Sequence, residues 1–271
     1  MALSFFAAYA FEQYRQGRFK TEEEAFLFMR KSGITQGDII DFDFCEYPLY
    51  LQYEIMTSSG VFPSCYISTL DVLGMDAKTR KRNIAITKER IDSAAKLDIA
   101  EFMIAPFGFT VSSSEEFKQV QNNLIESLAE LAEYGKKADV KISIENHSSS
   151  WRPDAKMKDV LYILDAVSDV SYIFDTGNFF CIGENAKEAY ELLKDKIYKV
   201  HLKDWKYDPF GDLERENLPR FKECELGKGE VPLNELFKSL KFDNFNGDIV
   251  IETNPSWEEF DHSVKFAKEF L

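Results

Sequence analysis

Residues 140–147 read Val-Lys-Ile-Ser-Ile-Glu-Asn-His. Side chains alternate between the two faces of a strand, so Ile142 and Ile144 share one face of this segment while Lys141, Ser143 and Glu145 share the other. Upstream, the Ser112-Ser113-Ser114 cluster opens a stretch with apolar residues at Phe117, Val120, Leu124, Leu128 and Leu131, the spacing of an amphipathic helix. The same unit recurs along the chain. Short apolar, β-rich runs at Ile99–Ala105, Val170–Asp175, Ile197–Lys203 and Gly247–Glu252 alternate with helical-length segments from about residue 76 onward, which is the sign of βα units and a parallel sheet. The N-terminal third is less regular, but Leu3–Ala10, Asp38–Cys45 and Pro63–Ser68 predict three more strands, making eight.

Eight strands, each followed by a helix, within 271 residues give the size and rhythm of a single (β/α)8 TIM barrel. A doubly wound open sheet is the second reading. It lacks support because no GxGxxG turn follows any early strand. No Pro-, Gly- or Ser-rich linker divides the chain, so residues 1–271 are expected to form one domain. The longest break is Trp205–Val231, where Pro209, Gly211, Pro219, Gly227 and Gly229 interrupt any period. In a barrel a loop of this length after a strand belongs to the catalytic face as a lid or binding element, or else is a plain surface insertion.

The chain has 33 Lys+Arg against 47 Asp+Glu, a net charge of −14, and 45% of its residues are hydrophobic. That composition supports a large core and excludes a disordered chain. The negative excess opposes nucleic acid and anionic membrane surfaces and leaves a small neutral or metal-bridged molecule as the expected partner. Cys45, Cys65, Cys181 and Cys224 form no CxxC pair and are read as reduced thiols. No run of 18 apolar residues exists to span a bilayer. Leu3–Phe11 imitates a signal peptide, with Ala8-Tyr9-Ala10 as a cleavage site, but no basic residue precedes it and it is short. It is read as a buried first strand in a cytoplasmic protein. Nothing in the composition speaks against a homo-oligomer.

Strand parity carries the functional argument. The helix-facing sets are Ile142 and Ile144, Tyr172 and Phe174, Val200 and Leu202, and Ile249 and Ile251. On the opposite, inward parity, at the carboxyl ends, stand Glu145, Asp175, His201 and Glu252. That end of a (β/α)8 barrel is where active sites are built. Taken singly, a carboxylate there can cap the next helix and His201 can be a hydrogen-bonded interior residue. The separations 145 to 175 and 175 to 201, 30 and 26 residues, are one βα unit each, and the 51 residues to 252 are one unit lengthened by the 205–231 segment. Consecutive strands therefore each supply one group. Three acids and an imidazole cannot share a low-dielectric cavity uncompensated, and a divalent cation supplies the compensation.

At Ile144-Glu145-Asn146-His147, Asp175-Thr176-Gly177-Asn178, His201-Leu202-Lys203-Asp204, Gly227-Lys228-Gly229-Glu230-Val231-Pro232 and Ile251-Glu252, the chain resembles the xylose isomerase-like superfamily of sugar isomerases and epimerases. The resemblance runs from about residue 80 to the end of the chain. It implies that Glu145, Asp175, His201 and Glu252 bind one divalent metal, as in the ketose 3-epimerases, and that Glu145 and Glu252 exchange the substrate proton from opposite faces. Those enzymes carry a histidine three residues after the aspartate, where this chain has Asn178. They also carry an arginine after the strand-7 histidine, where it has Lys203 or, less directly, Arg215 or Arg220. The narrower name of ketose 3-epimerase is therefore not carried over.

An oxygen-rich donor set suits Mn2+ first, then Mg2+ or Co2+, with Zn2+ also compatible. Such a cation can polarise a hydroxy-carbonyl sugar or sugar phosphate and stabilise the enediolate formed when Glu145 or Glu252 removes a proton. Return of the proton by one carboxylate gives an isomerase; return by the other gives an epimerase. His147 and Lys203 share the inward parity and, with Asn178, are candidate substrate-binding residues; a rim salt bridge for Lys203 and a buried polar contact for His147 are the structural alternatives. Phe107, Trp151 and Trp205 are candidate stacking partners for a sugar ring. Asp204 has the other parity and is expected to brace the long loop. Lys141, Lys199 and Asp248 are expected to form a salt-bridged polar layer at the barrel bottom, and His262 is given no function. An inosose dehydratase-like lyase on the same scaffold is the second functional reading. Multi-zinc phosphodiester cleavage is disfavoured by only three histidines, and a non-catalytic barrel remains as the structural alternative.

Overall fold

In the computed structural model, which describes residues 2–41, 47–106, 111, 113–211, 213–215, 218–253 and 257–270, eight parallel strands close into a ring. The strands, in chain order, are β1 (Leu3–Phe6), β2 (Gln36–Ile40), β3 (Phe62–Ser68), β4 (Glu101–Ile104), β5 (Lys141–Glu145), β6 (Ser171–Asp175), β7 (Ile197–Leu202), β8 (Asp204–Tyr207), β9 (Leu213–Arg215), β10 (Leu218–Cys224) and β11 (Ile249–Ile251). The ring order is β1-β11-β7-β6-β5-β4-β3-β2, and β8, β10 and β9 form a separate antiparallel sheet. The helices are α1 (Ala8–Arg15), α2 (Glu22–Lys31), α3 (Leu49–Ser58), α4 (Ala77–Lys96), α5 (Ser114–Lys137), α6 (Met157–Ala166), α7 (Thr176–Cys181), α8 (Ala186–Leu193), α9 (Leu233–Phe242) and α10 (Trp257–Lys268). The protein is a (β/α)8 barrel.

Strand parity accounts for the core. Ile142, Ile144, Tyr172, Phe174, Val200, Leu202, Ile249 and Ile251 are each at most 2% exposed and lie in the layer between ring and helices, where each full burial contributes about 2 kcal/mol. Ser113 caps α5 by accepting from the Glu116 N–H at 3.1 Å, as the serine cluster implied. Five of the helix-to-strand turns share one device. Gly33, Gly60, Asp98, Asp139 and Asn244 all take a left-handed φ between 54° and 83° just after a helix. The next residue's N–H then bonds back to the helix, as in Ile99 to Ala94 and Val140 to Gly135. Glycine, aspartate and asparagine are the residues that tolerate this conformation.

Three expectations change. The first strand ends at Phe6, not Ala10: Ala7 begins a helical turn and Ala10 and Phe11 bury against α2. A short apolar run does not distinguish strand from helix. The second strand begins at Gln36 and ends at Ile40, Asp41 is already outside it, and residues 42–45, the rest of the expected strand, lie outside the described residues. The 205–231 segment is an arm containing the β8–β10–β9 sheet rather than an irregular loop, with Phe221 packed between Tyr207 and Phe180 of α7 at centroid distances of 5.2 and 5.4 Å. Pro209 and Gly211 fall between β8 and β9, Pro219 within β10 and Gly227 and Gly229 after it, and they hide the short strand period. No described helix is long and apolar enough to cross a membrane.

Candidate metal centre

β5, β6, β7 and β11 are neighbours in the ring, and their carboxyl ends bring Glu145, Asp175, His201 and Glu252 together, with one donor atom from each lying within 4.8 Å of all the others. His201 Nδ1 is 2.8 Å from Glu145 Oε1 and 2.7 Å from Glu252 Oε2. Asp175 uses Oδ1 to cap α7, accepting from the Gly177 and Asn178 N–H groups at 2.8 and 2.7 Å, which leaves Oδ2 directed into the cluster without a formed hydrogen bond. Glu145 Oε1 is a second such oxygen. Buried acceptors of this kind, converging with an imidazole, are what a divalent cation satisfies, and the donor set fits one.

Charge explains the protonation behaviour. Burial, then the facing Glu252 charge, pushes the Glu145 carboxyl up to about 8. Burial works to raise Glu252 too, but Lys203 and His201 outweigh it and hold Glu252 well below the usual carboxylate range. Asp175 is raised, by burial above all. His201 and Lys203 are buried, which opposes their charge, yet the surrounding carboxylates lift both. Lys203 Nζ lies 2.9 Å from Glu252 Oε1 and 3.1 Å from Asp175 Oδ2, so this lysine is inside the cluster rather than at the rim.

Beside the cluster lies a cavity of about 260 Å3. One wall is polar, with Glu145, His147, Asn178, Lys203 and Glu252; the other is mainly apolar, with Phe6, Ile40, Ile67 and Met103 beside the phenol of Tyr9, from the β1–β4 side. All three expected substrate-binding residues therefore line it. Asn178 donates Nδ2–H to the Asn146 carbonyl at 2.9 Å. Asn146 in turn donates to the Asp175 carbonyl and accepts from the Asp175 N–H and the Tyr172 hydroxyl, tying β5 to β6 where their ladder ends. His147 Nε2 is 3.8 Å from Asp154, which is held by both arms of Arg152 at 2.8 Å. Burial first, and Arg152 second, pulls His147 down to about 3, so it is neutral at pH 7.

Other expectations divide. Asp204 braces the arm, accepting from the backbone N–H groups of Trp205, Gly227, Gly229 and Val231 at 2.9–3.2 Å. Trp205 packs over Gly177, where a Cβ would lie 2.7 Å from its ring, and Trp151 is 58% exposed; neither lines the cavity. Phe107 and the Arg215 side chain lie outside the described residues, and Arg220 is exposed on β10. The expected layer of Lys141, Lys199 and Asp248 does not form. Lys141 stacks on Tyr198 and Asp248 accepts from the Ala2 N–H, while Lys199 pairs with Glu101 of β4 and faces Asp38 of β2. Asp38, Asn146 and the apolar wall were not singled out by the sequence. Inward parity on β2 would have flagged Asp38 had that strand's start been clear.

The sequence of residues 54–270 matches the family model described as xylose isomerase-like TIM barrel. The chain belongs to this family. An inosose dehydratase of Clostridium perfringens is 25% identical over 151 residues, 54% of this chain and 50% of that protein. An inosose dehydratase of Mesomycoplasma hyopneumoniae is 24% identical over 52% of this chain and 48% of its own. The chain thus spans about half the length of the curated relatives it matches. Among solved structures, a zinc-bound IolI protein superimposes with a TM-score of 0.75 at 19% identity over 100% of this chain and 96% of that one. D-psicose 3-epimerase from Clostridium cellulolyticum H10 does so with 0.73 at 15% identity over 100% and 98%. At those identities the likeness shows the shared barrel fold.

Proposed function

We propose that this xylose isomerase-like barrel is a divalent-metal-dependent isomerase or epimerase of a small sugar, polyol-derived ketone or sugar phosphate. The observation that carries the reading is the meeting of two glutamates, an aspartate and a histidine within 4.8 Å at the edge of a cavity of about 260 Å3, small enough for a molecule of monosaccharide size. Glu145, Asp175, His201 and Glu252 would hold the cation, Mn2+ first among Mg2+, Co2+ and Zn2+. When bound, it supplies a Lewis acid that stabilises the negative charge an α-hydroxy ketone develops on losing a proton. The chain's own residues do the rest. Glu145 and Glu252, both at the cavity wall, are suited to take the proton and to return one. Lys203, Asn178 and neutral His147 orient hydroxyl or phosphate oxygens, while the apolar wall from Phe6 to Met103 keeps water from the opposite side.

A second reading rests on the two curated relatives named above, which are inosose dehydratases. On it, the same proton abstraction is followed by loss of the β-hydroxyl. One experiment separates the two. The Mn2+-loaded protein is incubated in deuterated water with ketoses, aldoses, their phosphates and inososes. Deuterium at the carbon beside the carbonyl with unchanged composition is the expected result; loss of one water from an inosose replaces the isomerase reading with the lyase, and no exchange in any substrate overturns both.

A further inference from the structure

Below the four clustered side chains, the barrel interior carries a second charged layer, in which Asp38, Glu101 and Lys199 are each at most 3% exposed. Lys199 Nζ pairs with Glu101 and lies 3.6 Å from Asp38 Oδ2, and Ser143 Oγ donates to Glu101 Oε1 at 2.8 Å. Asp38 stands apart within the layer. Its Oδ1 accepts from Ser64 Oγ, where the β2–β3 register shifts, while its Oδ2 has no formed hydrogen bond and faces His201 Nε2 at 3.4 Å. His201 Nε2 has no formed hydrogen bond either, and the opposite ring nitrogen, Nδ1, is the one that reaches Glu145 and Glu252.

We infer that Asp38 is a positioning residue for His201: it fixes the ring so that Nε2 carries the proton and Nδ1 offers its lone pair to the cation. The geometry leaves the neutral ring one workable arrangement. With the proton on Nδ1, that nitrogen would have no lone pair for a cation, and the Nε2 lone pair would face a carboxylate oxygen at 3.4 Å with no donor between them. With the proton on Nε2, both buried atoms are satisfied by one small ring adjustment, and the metal-facing nitrogen becomes a better donor. A purely structural role does not explain the layer, because buried ion pairs are commonly replaced by apolar packing at no loss of stability. Ser64 on one oxygen and Lys199 beside the other restrict the Asp38 carboxylate to the orientation that meets His201.

The inference rests on the metal reading above, and the tests separate the two. In Zn2+-loaded protein labelled with 15N-histidine, only three rings report, and His201 is expected to show its proton on Nε2. Asp38→Asn is expected to weaken Mn2+ binding, read by titration calorimetry, by about 10–100-fold. Ser64→Ala, which loosens Asp38 without removing its charge, is expected to weaken it by less. Glu101→Gln disturbs the same layer without touching His201 and is expected to lower the thermal midpoint while leaving Mn2+ affinity unchanged. The inference is overturned by a proton on Nδ1, by full affinity in Asp38→Asn, or by an equal loss of affinity in Glu101→Gln. Should Asp38→Asn not fold, the wild-type histidine spectrum and Ser64→Ala decide it. Wild-type protein that binds no divalent cation removes the metal reading, and this inference with it.

Discussion

Glu145 and Glu252 have the same side chain in opposed surroundings: burial dominates one, and Lys203 with His201 dominates the other. Removing charge from the second while keeping its shape tests the division of labour. Glu252→Gln is expected to lower kcat by about 10²–10⁴-fold while retaining much of the Mn2+ affinity, whereas His201→Ala is expected to cost more affinity than the about 10–100-fold typical of an outer support. Steady-state kinetics beside metal titration reads both, and wild-type turnover in Glu252→Gln removes it from proton transfer. His147 carries a pH signature. Its folded pKa of about 3 lies below the value of an exposed histidine, so at pH 5 the unfolded chain binds a proton that the folded chain does not. Stability is therefore full above about pH 7 and falls as pH drops towards 3, by about 2 kcal/mol between pH 7.5 and 5 for this group. His147→Gln lacks that loss. Urea unfolding at the two pH values is expected to show the variant gaining on wild type by this amount at pH 5, and parallel curves would refute it.

At the scale of elements, the arm from Trp205 to Val231 hangs on one carboxylate. Asp204 accepts from four backbone N–H groups, and a Cβ on Gly229 would sit 2.0 Å from Asp204 Oδ1. Asp204→Ala strands those donors at a cost of about 3 kcal/mol, and Gly229→Ala pushes the same loop off its anchor. Both variants are expected to open the arm to limited proteolysis between residues 205 and 231 while Mn2+ affinity holds, because no proposed ligand belongs to the arm. Protease resistance equal to wild type would show that the anchor is dispensable. The same segment marks the boundary of what the sequence tells. From β5 onward, apolar residues on the helix-facing parity and polar groups at the inward carboxyl ends, despite Ile173 and Val250 on that inward parity, made both the ring and the four converging side chains readable. In the N-terminal third, the run from Leu3 to Phe11 is apolar at every position but Ser4 and Tyr9, so its period cannot separate a strand from the helix that follows. β2 opens with Gln36 and Gly37, which give no strand signal, and so Asp38 was placed at a strand's start rather than in its interior. Lys199 has inward parity in the sequence, but its partners lie on β2 and β4, and pairing across a barrel is a property of closure rather than of neighbouring residues.

For the whole molecule, the ligand geometry has a thermodynamic consequence. The four clustered side chains come from β5, β6, β7 and β11, consecutive in the closed ring although 107 residues separate the first from the last. A cation shared by four adjacent strands binds the folded barrel and has no comparable site in the unfolded chain, so it stabilises by mass action. At a free concentration of about 100 times Kd the gain is about 2.7 kcal/mol, which for a chain of this size moves the thermal midpoint by about 5–10 °C. Because the donors are buried, the shift is expected to survive added NaCl, unlike any contribution from the net charge of −14, which screening weakens. Differential scanning calorimetry of protein stripped with a chelator, then reloaded with Mn2+ at low and high salt, measures it. His201→Ala is expected to lose most of the shift. A midpoint indifferent to both chelator and Mn2+ would mean that Lys203 and His201 alone compensate the three carboxylates, leaving the cluster a structural ion network without a metal.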